Sequence, residues 1–210
     1  MAMKFYYSPM SSATRCHWAL EELGVPYEKH KVDLTKGEQK TPEFLAINPN
    51  GKIPALVDGD ARVFESLAIL IYLGEKYGAE KGLWPKLGTP EHGEALSWSV
   101  WGTSEALPNV LQRVIHAGER AFSLPKDKQS AHVAQMAADG WASCMKILDK
   151  RLERREYLVG KSFSLADIAT GSVVAIGAMM AQLSLDGFKN VGAWAGRCQS
   201  RPAMGRAMAG

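Results

Sequence analysis

Cysteine is scarce in this 210-residue chain: Cys16, Cys144 and Cys198 lie far apart, with no C-x-x-C pair. That excludes a disulfide framework and points to a reducing, cytoplasmic compartment. Blocks of one charge are missing too. The 25 basic and 22 acidic residues leave a net charge of +3, with no run of five like charges. Neither a nucleic-acid-binding arm nor a polybasic membrane segment is therefore expected. The five histidines show no H-E-x-x-H or comparable ligand spacing, so no metal is expected. Long apolar runs are also absent. The longest, Leu165 to Leu185, is interrupted by Asp167, Thr170, Ser172, Gln182 and Ser184, which suits a buried helix better than a membrane span. The first residues, MAMKFYYSPM, lack the apolar core of a signal peptide. With 46% hydrophobic residues and so little net charge, the chain should fold.

What is present changes character near residue 80. Before it, short β-like runs alternate with helical patterns. Lys4–Tyr7 and Tyr27–Val32 read as strands, and Thr14–Leu23 as a helix stopped by Gly24. Thr41–Ile47 reads as a short helix with Pro42 in its first turn. Ile53–Val57 and Arg62–Phe64 flank Asp58-Gly59-Asp60, a hairpin signal because Asp-Gly tolerates positive φ. Ser66–Tyr77 reads as a helix ended by Gly78. The first domain is thus set at 1–79, a Gly- and Pro-rich linker at 80–90, and a second domain at 91–210. The second shows helical periodicity only, over Glu91–His116, Lys128–Glu153, Ser164–Leu183 and Val191–Met208. Ser164-Leu165-Ala166-Asp167 resembles a capping box with Asp at its fourth position, so Asp167 is read as structural.

The β-α-β-α-β-β-α order is the thioredoxin-like arrangement. Three local motifs accompany it: Tyr6-Tyr7-Ser8-Pro9-Met10-Ser11-Ser12-Ala13-Thr14-Arg15, Asn48-Pro49-Asn50-Gly51-Lys52-Ile53-Pro54-Ala55-Leu56-Val57-Asp58-Gly59 and Glu65-Ser66-Leu67-Ala68-Ile69-Leu70-Ile71-Tyr72-Leu73. Together, in this order, they resemble the cytosolic glutathione transferases, of a bacterial type similar to the theta, delta and beta classes. The resemblance extends loosely to Trp194, Arg197, Arg201 and Pro202 at the C-terminal end. It implies a two-domain α+β and all-α fold, a thioredoxin-like domain followed by a helical bundle. It also implies glutathione as co-substrate, small apolar electrophiles as partners, and a homodimer.

The chemistry can be stated without the family. A thiol reacts as its thiolate, and near a pKa of about 8.5 only ~3% is ionised at pH 7. A hydroxyl donor and a helix N-terminus favour the anion. Lowering the pKa by about two units needs roughly 2.7 kcal/mol and raises the thiolate fraction about 25-fold. A Brønsted slope of about 0.45 removes roughly 8-fold of that gain. Ionisation alone therefore contributes about threefold, and holding thiolate and electrophile together must supply most of the rate.

Ser11 and Ser12 stand where the first strand gives way to the first helix, as thiol donors or as N-caps. The delta/theta pattern places its serine four residues before an arginine, which selects Ser11 with Arg15 as reference. The beta-class cysteine aligns with Ser12 and is absent. Tyr7 and Tyr6 are alternate donors, although neighbours on a strand face opposite ways, so at least one belongs to the core. The resemblance assigns the cysteinyl backbone of glutathione to Ile53 beside a cis Pro54. It assigns the glycyl carboxylate to Lys52 and Gln39, and the γ-glutamyl end to Glu65 and Ser66 at a helix N-terminus. Met10, Trp101, Ser104, Glu105, Pro108 and Arg113 are the expected electrophile pocket. Ser104-Glu105 also resembles a Thr-Glu pair that some bacterial members extend across a dimer interface. Cys16 is expected to be a buried structural residue. Two alternatives stay open: a glutathione-dependent disulfide or hydroperoxide reductase, and a non-catalytic glutathione- or protein-binding module.

Overall fold

Alternation starts the fold. In strand β1 (Met3–Tyr7), Met3 and Phe5 turn inward on one face, and Phe5 stacks against Tyr7 two residues on. This is a computed structural model, and it describes residues 2–120 and 122–209. Helix α1 (Ala13–Leu23) follows, burying Cys16, Ala19, Leu20 and Leu23 at helical spacing. Full burial of a leucine is worth about 1.5–3 kcal/mol, so Leu20 and Leu23 anchor the helix in the core of the first unit. Gly24, at φ 59°, ends it and donates its N–H to the Leu20 carbonyl, a left-handed cap that glycine adopts without penalty.

Strand β2 (Tyr27–Lys31) pairs parallel with β1, as a strand–helix–strand crossover allows. The Thr41 hydroxyl accepts the Phe44 N–H to cap the single turn α2 (Pro42–Leu45). Strands β3 (Ala55–Asp58) and β4 (Ala61–Phe64) form the hairpin read from Asp58-Gly59-Asp60, and helix α3 (Ser66–Leu73) follows. The sheet order is β2-β1-β3-β4, with β3 antiparallel to both neighbours. The thioredoxin-like arrangement is present.

The helical part comprises α4 (Pro90–Trp101), α5 (Leu107–Ala117), α6 (Ala131–Arg151), α7 (Leu165–Met180) and α8 (Lys189–Gln199), and a last helix, α9 (Pro202–Ala209), ends the chain. Helix α7 is buried along most of its length. At its start the Asp167 carboxylate accepts the Ser164 N–H and hydroxyl, the Leu158 N–H and the Trp194 indole. Burial pushes this carboxyl upward and the four donors oppose it. The structural reading of Asp167 agrees with this geometry.

The chain divides into two compact units, Met1–Thr89 with Ser200–Gly210, and Pro90–Gln199. This differs from the expected partition at both ends of the helical region. Residues 80–89 of the expected linker group with the first unit, where the buried Trp84 lies against Gly74 and Gly78; a side chain at Gly74 would collide with its ring. The expected 91–210 domain loses its tail, because α9 packs on α1 in the first unit. Arg201 forms a two-point ion pair with Glu22 (2.6 and 2.7 Å), and Arg206 bonds Glu21 (2.7 Å). His17 donates from Nδ1 to the Ala207 carbonyl (3.1 Å).

Candidate active site

Strand register brings the separated motifs together. Tyr6 pairs with Ala55, and Ala55 pairs with Phe64. The C-terminal end of β1, the N-terminal end of β3 and the C-terminal end of β4 therefore share one end of the sheet. The segments they lead into or out of, Ser8–Ser12, Ile53–Pro54 and Glu65–Ser66, are the three motifs. A direct contact ties the third of them to helix α1: the Cys16 thiol donates to the Ser66 carbonyl at the tip of α3 (3.4 Å). Cys16 is fully buried and its thiol is pushed up to about 12 by burial, with Arg15 opposing. It is a neutral spacer between two helix tips, not a nucleophile.

At the α1 tip the two serines differ. The Ser11 hydroxyl donates to the Ser8 carbonyl (2.6 Å) and accepts the Ala13 N–H (3.2 Å). Ser12 is exposed and its side chain makes no capping bond. The preceding Met10 is 87% exposed at φ 53°, a left-handed conformation that costs a non-glycine residue about 1–3 kcal/mol. The tyrosines separate as strand alternation requires. Tyr6 stacks on His30 and meets Phe44 on one face, while Tyr7 stacks with Phe5 and lies against His17 on the other.

The Ile53–Pro54 peptide is cis. Its loop is held by buried Asn48, which donates from Nδ2 to the Lys52 carbonyl (2.6 Å) and accepts the Asn50 N–H (3.0 Å). Asn48 fixes how Lys52 and Ile53 are presented, a role the sequence motif contained but did not single out. Lys52 is exposed. Gln39 lies close by: its backbone oxygen would be 2.8 Å from a Cβ at Gly51, and its side-chain Oε1 is buried without a partner. Glu65 is exposed and its backbone is strained at φ 65°; Ser66, half-buried, opens α3. The free N–H groups of that first turn favour an anion.

Sequence reasoning also used Arg15 only as a spacing mark. In the fold it is 4% exposed, and its Nε has no hydrogen-bond partner. Burial lowers its pKa, with Cys16 opposing. A run of helix-forming residues does not reveal which one will be buried.

The expected electrophile residues divide between the units. Met10 lines a cavity of about 190 Å³ in the first unit, with Tyr7, Pro9, Thr14, His17 and Met208. Burial and Lys29 lower the His17 pKa there, with Glu21 and the Ala207 hydrogen bond opposing. The α9 contribution to this cavity was not foreseen. Trp101 ends α4, edge-on to Trp98; Ser104 and Glu105 are exposed in the wide turn Gly102–Ala106, and Pro108 is exposed in the first turn of α5. Arg113 lines a separate cavity of about 440 Å³ in the second unit, with Arg120, Met179 and Met180. Among the described residues, no group of three or more His, Cys, Asp or Glu could hold a metal, and no helix is long and apolar enough to cross a membrane.

A thioredoxin-like sheet whose ligand end carries a serine turn, a cis-proline loop and an acidic helix tip, followed by a helical region, defines a glutathione-binding class of protein. Comparison with known sequences makes the assignment specific. Models of the glutathione S-transferase N-terminal and C-terminal domains match residues 1–75 and 111–202. The chain is 34% identical over 206 residues to glutathione S-transferase F10 of Arabidopsis thaliana (97% of this chain, 94% of the relative). It is 33% identical over 212 residues to the disulfide-bond oxidoreductase YfcG of Escherichia coli (97% and 93%). Among solved structures, a Burkholderia graminis glutathione transferase with two glutathione molecules bound per subunit superposes with a TM-score of 0.84. That match has 29% identity and covers 99% of this chain and 87% of the other. The chain belongs to the glutathione S-transferase family, an enzyme family of which several solved members hold glutathione.

Proposed function

We propose that this enzyme transfers the glutathione thiolate to the electrophilic carbon of small, mostly apolar molecules. The observation that carries the reading is the convergence of Ser11, the Ile53–Pro54 edge and the α3 tip at one end of one sheet. In this reading the backbone of Ile53 beside Pro54 receives the cysteinyl residue of glutathione, and Lys52 with Gln39 receives the glycyl carboxylate. Ser66 and the α3 N–H groups receive the γ-glutamyl carboxylate, and Glu65 its ammonium. Ser11 then turns its hydroxyl from Ser8 to the sulfur, with Ser12, Tyr7 and Tyr6 as alternates. The serine turn supports a serine-type class.

The first unit thus serves glutathione. Met10 of the first unit and Trp101, Ser104, Glu105, Pro108 and Arg113 of the second are the proposed electrophile contacts. Exposed Val100, Leu111, Met136 and Ile147 on α4, α5 and α6 suit a homodimer. Three buried free thiols suit a cytoplasmic setting.

A second reading, glutathione-dependent disulfide reduction, is favoured by the YfcG match. There two glutathione thiolates would reduce one disulfide and leave as oxidised glutathione, with no enzyme cysteine needed. Product analysis separates the two. Incubation with glutathione and an activated aryl halide, followed by mass spectrometry, should show the thioether. Oxidised glutathione formed only with a disulfide substrate, and no thioether with any electrophile, would establish the second reading instead.

A further inference from the structure

Glycine in the middle of a helix weakens it, so Gly140, inside α6, calls for a reason. The reason is Asn109 on α5: a Cβ at Gly140 would collide with its side-chain oxygen. In the space so left, the Asn109 Nδ2 donates to the Glu105 carbonyl (2.8 Å) and to the Cys144 sulfur (3.8 Å), and the Cys144 thiol donates to the same carbonyl (3.7 Å). Burial and Glu105 push the pKa of that thiol up, which keeps it a donor. Side chains from two helices thus grip one backbone atom of the wide turn Gly102–Ala106. Wide turns of this kind concentrate at functional sites. This one holds Ser104 and Glu105, both exposed. The Ser104 hydroxyl gives its proton to the Val100 carbonyl (2.9 Å), so only its lone pairs remain for a ligand. Glu105 is an acceptor by charge, and no described residue forms an ion pair with its carboxylate. The turn therefore offers two adjacent acceptors, complementary to an ammonium group.

We propose that Asn109 is a positioning residue: with Gly140 leaving room for it, it holds Ser104 and Glu105 as an acceptor pair for the primary ammonium of a ligand. The proposal rests on the transferase reading above, in which Ser104 and Glu105 meet the substrate, and deepens it by naming the group they take. Two substrates can carry that group: an amine-bearing electrophile, or glutathione through its α-ammonium. Asn109 acts through the Glu105 carbonyl in either case.

The test uses two matched pairs. An activated aryl halide bearing an aminomethyl group is compared with its methyl analogue by kcat/KM, and glutathione is compared by affinity with glutaryl-cysteinyl-glycine, which lacks the ammonium. Wild type should prefer the amine at least about 10-fold, as a charge-assisted hydrogen bond provides. Glu105→Gln should remove most of that preference, and the pair in which it does so identifies the source. Asn109→Ala should lower the same preference at least about threefold, because a displaced contact loses its effect steeply, at temperatures where every variant is folded. Gly140→Ala should do likewise by pushing Asn109 aside. In an Asn109→Ala background it should lower the preference no further, and should raise the melting temperature, since alanine suits a helix interior better than glycine. A preference that Glu105→Gln lowers and Asn109→Ala leaves unchanged overturns the positioning role and leaves the transferase reading standing. So does a Gly140→Ala effect that persists in full without Asn109. No preference in either pair, or one that Glu105→Gln leaves intact in both, overturns the acceptor pair. A wild type that binds no glutathione removes the transferase reading and this proposal with it.

Discussion

In the free protein the Ser11 hydroxyl is engaged twice, giving its proton to Ser8 and taking one from Ala13. Donating to sulfur means exchanging the Ser8 bond for one to an anion. Hydrogen bonds to charged groups are worth about 1.5–3 kcal/mol against about 1 for neutral ones, so the exchange is favourable only when the sulfur is ionised. Ser11→Ala should therefore lower kcat/KM by roughly 10–100-fold, equivalent to that 1.5–3 kcal/mol. It should destabilise the fold by only about 1 kcal/mol through the lost cap. Ser12→Ala, lacking a capping bond, should change either little. Kinetics with a thiol-pKa titration of both variants checks this, and equal losses would remove the distinction between the serines. At this scale the serine turn and the cis-proline edge were legible because a few consecutive residues define them. Arg15 and Asn48 were not. Arg15 is marked only by its burial, and Asn48 by burial and by loop partners that only the assembled fold brings to it.

Elements were legible where local signals agree and blurred where a distant side chain intervenes. The strands of the first unit lie within two residues of the positions read from alternation. Three long helical readings each break. Ser66–Tyr77 becomes α3 and a wide turn at Gly74–Gly78, where Trp84 needs the room. Glu91–His116 widens at Gly102–Ala106: Pro108 has no N–H to offer the Ser104 carbonyl, and Gly102 lets Thr170 approach. Val191–Met208 is interrupted before Pro202, because the residue preceding a proline resists helical geometry.

The β3–β4 hairpin carries a prediction of its own. Asp58 accepts from Tyr77 (2.5 Å), Lys76 (2.7 Å) and Tyr72 (2.9 Å), tying the hairpin to α3 and its wide turn. Burial pushes its carboxyl up, but Lys76 and the two phenols outweigh this and hold it below the usual carboxylate value. Because the folded pKa is depressed, the ionised group stabilises the fold above the ordinary pKa of about 3.9. That contribution is lost as pH falls through the folded value. Asp58→Asn should cost about 1–3 kcal/mol at pH 7. The gap from wild type should close below about pH 4, as melting temperatures across pH 3–7 would reveal; a gap independent of pH would mean the charge contributes nothing.

At the scale of the whole chain, the sequence indicated two domains in tandem, but the polypeptide returns. It leaves the first unit at Thr89 and re-enters it at Ser200. No periodicity announces such a return, since α9 is as amphipathic against α1 as it would be against another helix of the second unit. The signal lies in charge pairs 179 and 185 residues apart, Arg201 with Glu22 and Arg206 with Glu21. The Glu22 side chain is only 7% exposed, and its other described partner is the Trp18 indole (3.0 Å). A chain ending at Gln199 would lose that cation together with the cover that α9 gives α1. Hydrogen bonds between charged groups are worth about 1.5–3 kcal/mol, and the lost packing adds to this. The truncated protein should melt well below the intact one. Glu22→Gln should recover part of the loss in the truncated chain while destabilising the intact one. The same truncation removes Met208 and Ala207 from the cavity beside Tyr7 and Met10. Its effect on bulky electrophiles should therefore exceed its effect on small ones, at temperatures where both proteins remain folded. A truncated chain with the intact melting temperature and the same electrophile range would mean that α9 merely rests on α1 and closes nothing.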